Sequence, residues 1–218
     1  AEWYYRDGRY RWAIEKQREG GARSLLGYYD AREATPAEPT DLLGTIAWPL
    51  DGMWYDSFTY EGAPPSERTY DKVAFRDSFA PEGQYLLLDG TSLGGHGHMD
   101  GNSILQWCEQ GRIWLCDGDY IKSLPKYHNG VLILRDGQSA KIPGLCELGH
   151  VADMEGMGSA QSILRNYAGV DWSRNVIWLK ERLFVVADQM TAVQEGDYSF
   201  RAVWQTVGDA ELEGQTLA

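Results

Sequence analysis

Histidine, cysteine and positive charge are all scarce in this 218-residue chain. Three cysteines occur, Cys108, Cys116 and Cys146. Three thiols cannot all pair, and no Cys-x-x-Cys is present, so neither a disulfide framework nor a thiolate zinc site is expected. They read instead as small buried hydrophobes. Lys and Arg number 20 against 32 Asp and Glu, a net charge of −12. That balance lacks the basic patch that neutralises phosphates, and it excludes nucleic acid as an expected partner. A polyanionic ligand would need a local basic groove that overrides the net charge. No apolar run approaches the ~18 residues of a membrane-spanning helix. The chain opens Ala1-Glu2-Trp3 with no Met, basic start or signal-like run, so a removed targeting segment or a longer parent protein is expected. No internal repeat or low-complexity tract is present.

What the chain does have is apolar and aromatic mass, at 43% and 12% of residues, enough for a sizeable core in one large domain or one domain with a small subdomain. The first thirty residues look helical, and Tyr10 to Glu19 carries good helix formers before stopping at Gly20-Gly21. Aromatics crowd this start (Trp3, Tyr4, Tyr5, Tyr10, Trp12) and read better as core than as sugar-stacking platforms. Residues 34–66 carry Pro36, Pro39, Pro49, Pro64 and Pro65, which break periodicity and suggest a linker pinned to a surface by its own aromatics. From about Asp71 short apolar runs of strand length follow one another: 85–89, 104–108, 113–116, 131–134, 176–179, 183–187 and 198–204. Gln110-Gly111, Asp136-Gly137 and Glu195-Gly196 supply tight turns. His150 and Asp153 to Glu155 read as loop. The expected fold is mainly β, an antiparallel β-sandwich with a short N-terminal helical segment, divided into residues 1–70 and 71–218.

Chemistry concentrates in Gly94-Gly-His-Gly-His-Met-Asp-Gly-Asn-Ser103. Glycines make the backbone permissive where potential ligands cluster. His96 and His98, two residues apart on extended chain, share a side. These are two of only four histidines, and a third, His128, stands just before a strand. Asp117 ends the run 113–116. Imidazoles with a carboxylate form a common zinc ligand set. Singly, each histidine is more simply a hydrogen-bonded loop residue; together, the set favours a metal. One geometric condition applies. If 96–109 continued straight into a hairpin with 112–118, His98 would lie about 20 Å from Asp117, at ~3.3 Å per residue. A shared metal therefore requires 94–102 to fold back.

Gly90 with His96-Gly-His98 also fits the opening of the first cupin motif, but Asn102 and Ser103 stand where that pattern wants Glu, and its second motif is not met around Pro125. A closer resemblance is to the heparinase II/III-like polysaccharide lyases. Three blocks carry it in order: His96-Gly-His-Met-Asp100; Gly111-Arg-Ile-Trp-Leu-Cys-Asp117-Gly-Asp-Tyr120; and Tyr127-His-Asn-Gly-Val-Leu-Ile133. Arg174-Asn-Val and Phe184-Val-Val-Ala-Asp188 resemble a later strand pair of the same family. The resemblance spans residues 71–204. It implies Zn2+ held by His98, Asp117 and His128, with Asp100 orienting a ligand histidine. It implies catalytic roles for His96 and Tyr120, and β-elimination on an acidic, uronic-acid-containing polysaccharide. It further implies a secreted or periplasmic location and an α/α toroid, supplying a catalytic tyrosine, of which residues 1–30 would be a remnant. Two other functions stay open: a cupin-like metal enzyme, and a non-catalytic carbohydrate-binding sandwich with a structural metal.

Overall fold

The computed structural model describes residues 7–20, 34–92, 98–118 and 121–208, with two short strands beyond. Two compact units divide at Leu43 and Gly44. In the first, helix α1 (Gly8–Glu19) starts where Asp7 accepts the Arg9 N–H at 3.0 Å and ends at Gly20. Its described residues include none that is buried, and Tyr10 is exposed, contrary to the core reading of that aromatic.

The second unit is an antiparallel sandwich. Strands β1 (Gly44–Pro49), β2 (Tyr70–Arg76), β3 (Tyr85–Asp89), β4 (Ile104–Glu109) and β5 (Arg112–Cys116) form a five-stranded meander. Strands β8 (Glu147–Asp153), β9 (Met157–Tyr167), β10 (Val170–Leu179) and β11 (Leu183–Ala192) form a four-stranded one. Between them in sequence lie β6 (Val131–Arg135) and β7 (Gln138–Ser139), which β12 (Tyr198–Ala202) joins across β6 in a three-stranded sheet. A final two-residue pair, β13 and β14, lies at 212–213 and 216–217. Short helix α2 (Gly52–Phe58) follows β1. This unit begins ahead of residue 71 because β1 pairs along β2, an edge position where Pro49 can sit without costing a central hydrogen bond. Neighbouring strands are mostly consecutive, unlike the interleaved Greek keys of a jelly-roll cupin.

The two large sheets meet over aromatics. Phe75 on β2 stands edge-on to Trp178 on β10 and to Phe184 on β11, with centroids 6.3 and 5.9 Å apart, and Trp107 on β4 closes on Phe184. The long strands β8 and β9 escape a reading based on apolar runs, because β9 turns Gly158, Ala160 and Ser162 inward. Each sits opposite a large β10 residue, Trp178, Val176 and Arg174 respectively, so small and large alternate across one pair of strands. His150 and Asp153 accordingly lie in β8 rather than in a loop. Polar-looking sequence here records space given to neighbours.

Gly158 carries the tightest of these fits, since a Cβ there would stand 2.0 Å from Thr45 Oγ1 on β1. Gly158→Ala is expected to destabilise the unit by about 1–3 kcal/mol through overpacking. Denaturant unfolding measures it, and Thr45→Gly in the same chain should return part of the loss.

Candidate functional site

Among the described residues, 98–103 fold back as a shared site requires. Ser103 N–H bonds the Asp100 carbonyl at 2.9 Å, closing a turn in which Asn102 takes φ 68°. Asparagine tolerates that left-handed conformation better than most side chains. The reversal sends residues 98–100 away from the axis of β4 and alongside residue 123, where Met99 N–H bonds the Ser123 carbonyl at 3.1 Å. Asp117, just past β5, reaches the same place and is held by its N–H to the Leu105 carbonyl at 2.7 Å. His128 caps a single 3-10 turn (Pro125–Tyr127) ahead of β6. Gly118 lets the strands' ends close up: a Cβ there would meet the Tyr127 carbonyl at 2.6 Å.

The result is a compact donor cluster. Asp117 Oδ1 lies 2.8 Å from His128 Nδ1. Asp100, Asp117 and His128 each offer an atom within 4.8 Å of the others. His98 stands beside them, its Nδ1 3.8 Å from Asp100 Oδ2 and its ring centroid 6.2 Å from that of His128. Of the three expected ligands, Asp117 and His128 touch and His98 is adjacent. Asp100, expected only to orient a histidine, has its own carboxylate in the cluster. His96 and Tyr120 lie outside the described residues.

Electrostatics bind this cluster together. Burial would push the His128 imidazole down, yet the hydrogen bond and charge of Asp117, with Asp100 adding, raise its pKa overall. Burial raises the Asp100 carboxyl, Asp117 raises it further, and His128 and His98 pull the other way. His128 is 1% exposed, and its Nε2 has no hydrogen-bond partner among the described residues. A cation beside these donors would relieve the repulsion of the two carboxylates. Two imidazoles and two carboxylates are donors that zinc accepts. The residues present fit such an ion.

Behind the turn, Asp89 ends β3 with its side chain buried, accepting from Lys72 Nζ and from Thr91 N–H, both at 3.0 Å. Burial outweighs these partners and pushes its pKa up to about 7. Farther in lie Asn102, Asn129 and Arg174, which fall inside the quoted sequence blocks but to which those blocks assign no role. The His128-Asn129 pair was visible as a motif, but nothing in the sequence marked the asparagine's carbonyl as the useful group.

No family model and no curated protein matches the chain. Solved structures do match its fold. A heparinase III, the BT4657 gene product, superposes on 95% of this chain with a TM-score of 0.62 and 12% identity. The heparan sulfate lyase HepC from Pedobacter heparinus superposes on 88% with a TM-score of 0.54 and 16% identity. The chain spans 31% and 29% of the lengths of these two structures. It therefore has the mainly β, antiparallel sandwich fold found in part of heparinase-type lyases.

The raised Asp89 pKa sets a sign for pH dependence. A carboxyl that holds its proton more tightly when folded favours the native state at low pH and loses that advantage as pH rises from about 4 to about 7. The stability difference between wild type and Asp89→Asn is expected to shift against wild type across that window and to level off above it. Urea unfolding at several pH values measures this; parallel curves would count against it.

Proposed function

We propose that this chain is part of a polysaccharide lyase that cleaves a uronic-acid-containing polysaccharide by β-elimination. The observation that carries the reading is the turn at Asp100–Ser103, which gathers Asp100 with Asp117 and His128, His98 standing alongside Asp100, on a sandwich like that of the heparinase-type structures. Zn2+ would be held by His98, Asp117 and His128, with Asp100 within reach of the same ion. When bound, it would fix the imidazoles and carboxylates in one arrangement and lend positive charge to the site. With His128 buried, that arrangement acts mainly on position.

The proton work falls to neighbouring groups. His96, two residues before His98 in the chain, is assigned to the substrate side, and Tyr120, three residues after Asp117, is assigned a catalytic role with it. In β-elimination the uronate carboxylate is neutralised, which acidifies the C5 proton. A base takes that proton, its electron pair forms the C4–C5 double bond, and the C4–O bond breaks. An acid then protonates the departing glycosidic oxygen. Imidazole and phenol groups suit such exchanges near neutral pH. We assign the second catalytic group to a helical toroid outside this chain, in keeping with the larger size of the structural counterparts. A secreted or periplasmic location is part of the same proposal. No helix among the described residues is long and apolar enough to cross a membrane.

Two outcomes test this in the intact protein. Chelation is expected to lower the melting temperature by several degrees, because metal binding that favours the folded state adds to stability. His128→Ala should show that lower value without chelator and no further drop with it. Melting insensitive to both would remove the metal. Separately, His96→Ala is expected to keep zinc content and folding. It should slow the formation of unsaturated uronate ends, read by ultraviolet absorbance, by about 10²-fold or more. Undiminished product formation would make His96 a bystander.

A further inference from the structure

Arg174 is 0% exposed, in the middle of β10 between the sheets. Its guanidinium uses its donors in two directions. Nε and Nη2 bind the two carboxylate oxygens of Asp188 on β11, at 2.8 and 2.9 Å. Nη1 points the other way and binds two backbone carbonyls, those of Asn102 and Asn129, each at 2.9 Å. The plane lies over Trp172, whose ring centroid is 4.8 Å from Cζ and whose indole N–H also binds Asp188 Oδ1.

The two carbonyls identify the role. Asn102 lies in the turn that carries His98 and Asp100, and Asn129 follows His128. One nitrogen thus bridges the two loops from which the donor cluster hangs. Asn129 strengthens the bridge from the other side, because Ile104 N–H binds its carbonyl at 3.0 Å while its side chain donates to the Ile104 carbonyl at 2.9 Å. Asn102 donates to the Trp172 carbonyl at 3.4 Å. Arg174 touches neither Asp100, Asp117 nor His128 in these bonds, yet both loops are indexed to it.

We propose that Arg174 is a positioning residue for the donor cluster, setting the separation of the 98–103 turn and the 128–130 loop through Nη1 while Asp188 locks the plane of the guanidinium. This rests on the metal reading above. A planar fork is required: four hydrogen bonds in two opposed directions exceed what the three donors of a lysine ammonium can supply. A buried arginine could instead serve stability alone, and the test separates the two roles.

The experiment compares Arg174→Lys with Val176→Ala in the intact protein. Val176 is buried on the same face of β10, two residues on, and takes no part in the bonds of Arg174, so its variant reports general loss of packing. Zinc is titrated into metal-free samples, and hydrogen exchange is followed by mass spectrometry on peptides covering 98–106 and 126–132. Arg174→Lys is expected to weaken zinc binding by about 10- to 100-fold, the usual range for groups that orient ligands. It should also speed exchange in both peptides, while Val176→Ala leaves affinity within about twofold and exchange there unchanged. Equal affinities in the two variants would overturn the proposal. If wild type itself binds no zinc, the metal reading fails, and the exchange data alone decide: unaltered exchange in both peptides overturns the positioning role. Should Arg174→Lys not fold, Asp188→Asn replaces it, keeping the arginine but freeing its plane, with an intermediate loss expected and wild-type affinity counting against.

Discussion

A guanidinium enclosed between two sheets is the constraint around which this sandwich is arranged. A buried charge is tolerated only where a counter-charge and hydrogen-bond partners surround it. Arg174 has Asp188 on one side and two carbonyls on the other. Meeting those demands dictates much else. Ser162 opposite must be small, Trp172 must lie flat beneath the charge, and the loops before β4 and β6 must bring their carbonyls inward. The interior polar hub and the donor cluster are therefore neighbouring parts of one arrangement.

Much of this was legible in the sequence, and the gaps have physical causes. Runs such as Tyr85–Asp89 and Val131–Arg135 are strands because an apolar stretch bounded by turn residues has few other uses, and Gln110-Gly111 and Asp136-Gly137 take the positive φ that tight hairpins need. Strands β8 and β9 were hidden because several of their inward residues, Glu147, Gly158, Ala160 and Ser162, are small or polar, and those of β9 sit opposite larger partners on β10. The first strand was hidden among prolines, since an edge strand can end on one.

The site divides in the same way. His98, Asp117 and His128 stood out by residue type, and the demand for a fold-back followed from simple distances. Asp100 was visible too, but its place in the cluster depends on the left-handed Asn102, which no periodicity reveals. Arg174 was noticed only as part of a strand-pair resemblance. Its importance arises from four bonds to partners 14 to 72 residues away, which only the folded chain displays.

The bridge made by Arg174 ends on carbonyl oxygens, and every residue type has one. The acceptors that Asn129 and Asn102 present to Arg174 are main-chain atoms, so those bonds survive any side chains that keep the two loops in place, with a residue at ease with positive φ at position 102. A geometry written in main-chain atoms is insulated from drift in the letters that encode it. Chains could thus diverge until little of their sequence agrees while the two loops stay in register. The short histidine and aspartate blocks would then be the last legible trace of a shape kept mostly by the backbone.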